Sequence, residues 1–289
     1  MSRLTKYIKR GVQYMLHGQP IVVVTPQIAI LAPCELLKGR TALITGGTRG
    51  IGKAIAEAFL NAGANVIITS RSQENVDAVV RDLSSRYSTQ YVYGVAMDNS
   101  DTKRIKDIFV QITQTIPHKI DILVNNAGIL GGNFGKTAID EFSKIVDVNL
   151  KGVFFLSECV VEYMKSNGIA GNILMIASSS SLRPAVSAYT ISKWGLRGFT
   201  LGLAKICAQY GITVNGIAPG PTATEMVGVN NISDIYRDAS PIKRYSLPEE
   251  IANMAVMLCS DMGRSVVGDI VYMTGGAGLI TLDDVVYKF

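Results

Sequence analysis

Thr41-Ala42-Leu43-Ile44-Thr45-Gly46-Gly47-Thr48-Arg49-Gly50-Ile51-Gly52 runs from a short uncharged segment through a glycine-rich turn into a helical pattern that extends to Asn61. The first five residues read as a buried strand. Glycine lets the backbone turn tightly and approach a bound group closely, and the helix that begins at Gly50 aims its free N–H groups at the same place. Strand, Thr-Gly-x-x-x-Gly-x-Gly turn and helix, in that order, suit a dinucleotide pyrophosphate. The candidate contacts are Gly46, Thr48, Arg49, Gly50, Ile51 and Gly52.

The same alternation continues downstream. Strands are predicted at 65–69, 90–96, 121–125, 172–177, 212–217 and 269–273, and helices at 74–86, 102–115, 139–165 and 187–210. Ser246-Leu247-Pro248-Glu249 has capping-box spacing and opens a last helix through Leu258. Strands that alternate with helices predict an α/β protein with a doubly wound parallel sheet of about seven strands, covered on both faces. No repeat or linker interrupts it, so residues 39–289 are read as one domain and residues 1–38 as an N-terminal extension. Residues 221–245 break the rhythm. A long excursion there is either a cover over substrate or a plain surface loop.

Charged residues are 18% of the 289 and hydrophobic ones 48%, which excludes a disordered chain. Cys34, Cys159, Cys207 and Cys259 are scattered, with two histidines elsewhere, so neither a zinc site nor a disulfide framework is indicated, and a reducing cytoplasm is the expected location. The whole net charge of +5 lies in residues 1–40, where Arg3, Lys6, Lys9, Arg10, Lys38 and Arg40 face one acid, Glu35. The body is balanced, which argues against nucleic acid as a partner. Leu4, Ile8, Val12 and Met15 fall on one side of a wheel and the basic residues on the other, a short basic amphipathic helix. Either residues 1–16 touch a membrane surface or the helix docks on the body or a neighbouring subunit; the second is favoured.

Two further stretches carry chemistry. Where an acid would bind a ribose 2′-hydroxyl, the second strand ends Ser70-Arg71, with Arg49 in the turn nearby. Guanidinium groups without a carboxylate suit a 2′-phosphate, hence NADP(H). Tyr189 and Lys193 are four residues apart, one helical turn, so the ammonium is expected beside the phenol, lowering its pKa toward that of a useful proton donor.

Together these residues resemble the short-chain dehydrogenase/reductase family in its TGxxxGxG form, over residues 39–278. The resemblance implies a single-domain Rossmann fold. Asp98 is similar to the family's adenine contact, and Asn125, Ala127 and Gly128 to its NNAG segment. Asn149 is similar to the asparagine that holds a water near the lysine; Pro219, Gly220 and Thr224 resemble the segment that lines the nicotinamide. The family's serine ends the fifth strand, where Ser178 is the first choice and Ser179 the second. By that resemblance Tyr189, Lys193, Ser178 and Asn149 carry an NADP(H)-dependent ketone–alcohol interconversion on a small-molecule substrate, in a homotetramer or homodimer. A 3-oxoacyl thioester, a keto-sugar or polyol, and a general carbonyl compound are the substrate readings. An acidic acyl carrier would want a basic patch near the mouth; Lys243 and Arg244 follow the excursion, but two charges do not decide between that and a solvated loop. A catalytically silent binding or scaffold protein is the reading from another class.

Overall fold

Seven strands form one parallel sheet in the order β3-β2-β1-β4-β5-β6-β7. They are β1 (Thr41–Thr45), β2 (Asn65–Ser70), β3 (Val92–Ala96), β4 (Ile122–Asn125), β5 (Asn172–Ile176), β6 (Thr213–Pro219) and β7 (Ile270–Met273). A computed structural model describes residues 35–87, 90–228 and 235–279. The basic amphipathic helix read in residues 1–16 therefore lies outside the described residues. The helices are α1 (Gly50–Asn61), α2 (Gln73–Arg86), α3 (Thr102–Thr115), α4 (Ile139–Val146), α5 (Gly152–Ser166), α6 (Ala188–Cys207) and α7 (Pro248–Cys259).

Both faces of the sheet are buried, so its central strands carry aliphatic side chains without alternation. All residues of β1, β4 and β5 are buried. Leu43, Leu123 and Ile173 pack with α3, α5 and α6 on one side, while Ala42, Ile44, Ile122, Val124 and Leu174 pack with α1 and α7 on the other. Leu37 is fully buried in the second cluster and donates its N–H to the Ala62 carbonyl at 2.9 Å. This apolar anchor lies upstream of the turn that leads into β1.

Three expectations are corrected. The helix expected over 139–165 is interrupted by a π-turn at Asp147–Lys151, one extra residue between α4 and α5. The helix expected over 187–210 ends at Cys207 and tightens into a 3-10 turn before Gly211, at φ 71°. The last helix begins one residue later than the capping-box spacing implied: the Leu247 N–H donates to Glu250 at 2.7 Å, in place of a Ser246–Glu249 pair. Arg244 grips Glu250 through two bonds of 2.8 and 2.7 Å and holds its carboxyl down at about 2, which fixes Glu250 and not Glu249 as the cap.

The amino ends of the central strands are tied together by one half-buried cluster. Arg40 donates to Asp121 at 2.8 Å and to the Asn172 side chain at 2.6 Å, and Asp121 accepts the Thr41 N–H at 3.0 Å. Removing the acid leaves a guanidinium and a strand-opening N–H without their partner. Asp121→Ala is expected to lower stability by about 3 kcal/mol in urea titrations. A loss under about 0.5 kcal/mol would mean the cluster is only a surface pair.

Candidate active site

Order in the sheet reverses direction at β1, which pairs with β2 on one side and β4 on the other. The crevice outside the carboxyl ends of such strands is where open α/β sheets bind ligands. A cavity of about 240 Å³ lies there. Of the residues expected in the site, Gly46, Thr48, Arg49, Gly50, Ile51, Gly52, Ser70, Arg71, Asp98, Ala127, Gly128, Ser178, Tyr189, Lys193, Pro219, Gly220 and Thr224 line it. Asn125 and Asn149 do not.

The glycine turn has the shape that its sequence requires. Gly46 sits at φ 64°, and a Cβ on Gly52 would come within 2.3 Å of the Gly46 carbonyl oxygen. No side chain fits at 52, so the first turn of α1 presses directly on the loop. That turn carries no acid and no side-chain cap, which leaves its N–H groups for an anion. Thr45 joins the turn to the β4 end: its hydroxyl accepts the N–H groups of Asn126 and Ala127, both at 3.0 Å.

Asn125 is corrected from cavity contact to core. It is buried, and its amide donates to Ser157 at 3.0 Å. The residue that sequence reasoning missed is Asn126, which lines the cavity and donates to the carbonyls of Thr45 and Gly46 at 2.9 and 3.2 Å. The two-residue alternation of a strand says that only one of the neighbouring asparagines can meet the turn, but not which one.

At one end of the cavity Arg71 and Ser70 meet Arg49 and Thr48 in a polar recess that also takes in Ser72 and Asn75. Among the described residues no carboxylate lines that recess, although Glu225 of the main cavity pairs with Arg49 at 3.5 Å. Asp98 also lines the main cavity, with its carboxylate accepting the N–H and hydroxyl of Ser100 at 2.9 and 2.7 Å.

The other end holds the titratable pair. Ser187 caps α6, accepting the Thr190 N–H at 3.1 Å, and so sets Tyr189 and Lys193 in the first turns of that helix. The Lys193 nitrogen lies 5.8 Å from the centre of the Tyr189 ring and donates to the Ile176 carbonyl at 2.8 Å. The expected electrostatics are corrected here. Burial pushes the Tyr189 phenol up, opposed by a hydrogen bond with Ser178, and burial brings the Lys193 ammonium down to about 8. Here desolvation outweighs any attraction between the two groups, and each is shifted toward its neutral form.

Ser178 and Ser179 are both buried, but only Ser178 lines the cavity; it also accepts the Ser180 N–H at 3.1 Å, opening a 3-10 turn over Ser179–Leu182. Asn149 lies behind the wall. Its oxygen accepts the Ile129 N–H at 2.8 Å, and its amide donates to the Ile129 carbonyl and the Ser192 hydroxyl at 3.0 and 3.1 Å. The π-turn is what brings it there, by shifting the helical register between α4 and α5.

In the segment after β6, Thr222 forms a parallel bridge with Ser246, and a 3-10 turn spans Glu225–Val227. Thr224, Glu225, Met226 and Val227 line the cavity, which gives the excursion a share in the site. Residues 229–234 lie outside the described residues. Lys243 pairs with Asp238 at 3.0 Å and Arg244 with Glu250 at 2.7 Å, so neither charge stands alone.

A family model described as Enoyl-(Acyl carrier protein) reductase matches residues 46–278. Over 245 residues the chain is 36% identical to the 3-oxoacyl-(acyl-carrier-protein) reductase FabG of Aquifex aeolicus, covering 83% of this chain and 98% of that protein. It is also 36% identical over 247 residues to a 3alpha-hydroxysteroid dehydrogenase of Mediterraneibacter gnavus, covering 84% and 98%. A short-chain dehydrogenase of Burkholderia cenocepacia, solved in complex with NADP, superposes with a TM-score of 0.75 at 31% identity over 83% of this chain and 98% of that one.

Proposed function

The chain belongs to the short-chain dehydrogenase/reductase family of oxidoreductases, and from that premise we propose that it interconverts a ketone and a secondary alcohol with NADP(H), a 3-oxoacyl thioester being the substrate to try first. One observation carries the reading. The half-buried Tyr189 phenol and Ser178 line the same cavity as the buried Lys193 amine and the glycine turn.

The cavity fits a dinucleotide on its own geometry. The bare backbone at Gly52 and the acid-free start of α1 suit a pyrophosphate, and Asp98 flanks the adenine end. When bound, the nicotinamide supplies the hydride. Tyr189 gives its phenolic proton to the carbonyl oxygen, and Ser178 hydrogen-bonds that oxygen as negative charge develops. Lys193, whose nitrogen is within 3.7 Å of where a Gly128 Cβ would sit, is placed to hold ribose hydroxyls and to resupply a proton. Asn149 acts as a positioning residue. Its amide is engaged by Ile129 and Ser192, and its side-chain oxygen lies, like the Lys193 nitrogen, beside Gly128, which suits a residue that holds the lysine's surroundings in place.

The NADP preference rests on Arg71 in a recess without a carboxylate. Arg71→Asp is expected to weaken NADPH binding by about 100-fold while changing NADH binding far less, read by fluorescence titration. Equal affinities in the wild type would remove the 2′-phosphate from the reading. Exposed Phe154, Phe155 and Leu201 on α5 and α6 support a homotetramer or homodimer built through those helices. Cys159, Cys207 and Cys259 are free thiols, which suits a cytoplasmic enzyme. Among the described residues no helix is long and apolar enough to cross a membrane.

The test is NADPH consumption by the full-length protein with acetoacetyl thioesters, simple diketones and keto-sugars. Oxidation of NADPH with none of them would sink the enzyme reading in favour of a silent scaffold.

A further inference from the structure

Resting on the oxidoreductase reading, we propose that the substrate is a ketone on an apolar body, such as an acyl chain, and that Leu130, Met226 and Val227 are the residues that select it. These three large side chains line the same cavity as Tyr189 and Ser178, yet they are 44%, 50% and 43% exposed. They come from two separate segments, Leu130 from the one after β4 and the other two from the 3-10 turn after β6. The apolar surface continues outward. The Leu130–Phe134 segment runs beside the approach to α6, with an Asn133–Ser187 bridge and a Phe134 N–H to Val186 carbonyl bond of 3.0 Å. At the far end of that ribbon Phe134 is 92% and Val186 69% exposed. Isolated exposed apolar residues need no explanation, but a set continuous with a reacting site does.

The polar groups of the cavity point to the same class. A sugar is held by donors and acceptors matched to its hydroxyls, and a site that lacks them binds it poorly. Among the described residues near Tyr189, the polar side chains are engaged internally. Thr222 donates to the Gly220 carbonyl at 3.1 Å, Thr224 to the Thr222 carbonyl at 3.4 Å, and Lys193 to that of Ile176. Glu225 faces Arg49 toward the phosphate end. That leaves Ser178 and Tyr189, which serve one carbonyl oxygen, and aliphatic surface for the rest of the molecule.

The test is kcat/KM for N-acetylcysteamine thioesters of 3-oxobutanoate, 3-oxohexanoate and 3-oxooctanoate against fructose, at saturating NADPH. A methylene fully withdrawn from water is worth about fourfold, so contact on one side predicts about twofold per methylene. Leu130→Ser and Met226→Ser are expected to flatten that slope. A flat or falling wild-type series, or fructose reduced faster than the octanoyl compound, overturns the apolar assignment and leaves the oxidoreductase reading standing. A slope unchanged in both variants overturns the choice of residues. Failure of every compound to consume NADPH overturns both readings together.

Discussion

Tyr189→Phe is expected to lower kcat by about 10²–10⁴-fold, the usual contribution of a positioned proton donor, while NADPH affinity stays within about twofold of wild type. The substitution removes one oxygen from a half-buried ring and leaves its packing in place, so lost turnover is not the result of a collapsed site. The pH profile carries a second signature. Burial raises the phenol's pKa, so Tyr189 holds its proton through the neutral range. Ketone reduction should therefore be flat across neutral pH and fall only in alkali, whereas alcohol oxidation, which needs the deprotonated form, should rise with pH. Stopped-flow reduction with wild-type and variant enzyme separates the chemical step from binding. Turnover within tenfold of wild type would assign the proton to another group.

Lys193→Met should behave in a way that ordinary core substitutions do not: turnover falls at least 100-fold, yet the folded protein gains roughly 2 kcal/mol at pH 7. The sign follows from the titration. Burial brings the ammonium from its usual 10.5 down to about 8, so the folded state disfavours the charge. That penalty is fully present below pH 8 and is relieved as pH rises from 8 toward 10.5. The shift amounts to about 3 kcal/mol, from which the lost bond to the Ile176 carbonyl takes roughly 1. Urea melts at pH 7 and near pH 10 test it, with the advantage shrinking at the higher value. A variant less stable than wild type at pH 7 would mean that the amine is better solvated than its burial implies.

The glycine turn and the alternation of strands with helices were legible because each depends on residues close together in sequence. Gly52 is the clearest case, since a short-range pattern reports directly on a backbone contact. What escaped was set by distant partners. Nothing near Asn125 and Asn126 says which one meets Thr45, and nothing near Asn149 announces a π-turn. The field around Tyr189 also had to wait for the fold. One-turn spacing places the lysine correctly, but the Ile176 carbonyl that accepts its hydrogen bond arrives from β5, and the loss of water that dominates both pKa values comes from the whole enclosure. Arg244 failed as a free charge for a similar local reason, because the carboxylate it grips is the cap of the next helix.

The Arg40–Asp121–Asn172 clasp and the tyrosine–lysine pocket stand at opposite ends of strands that span about 15 Å. Changes at such a distance add without interfering with one another. Descendants of this sequence could therefore trade rim side chains, and with them the molecules they accept, while the lower seam keeps the scaffold intact: the architecture gives evolution one end to hold fixed and another to vary.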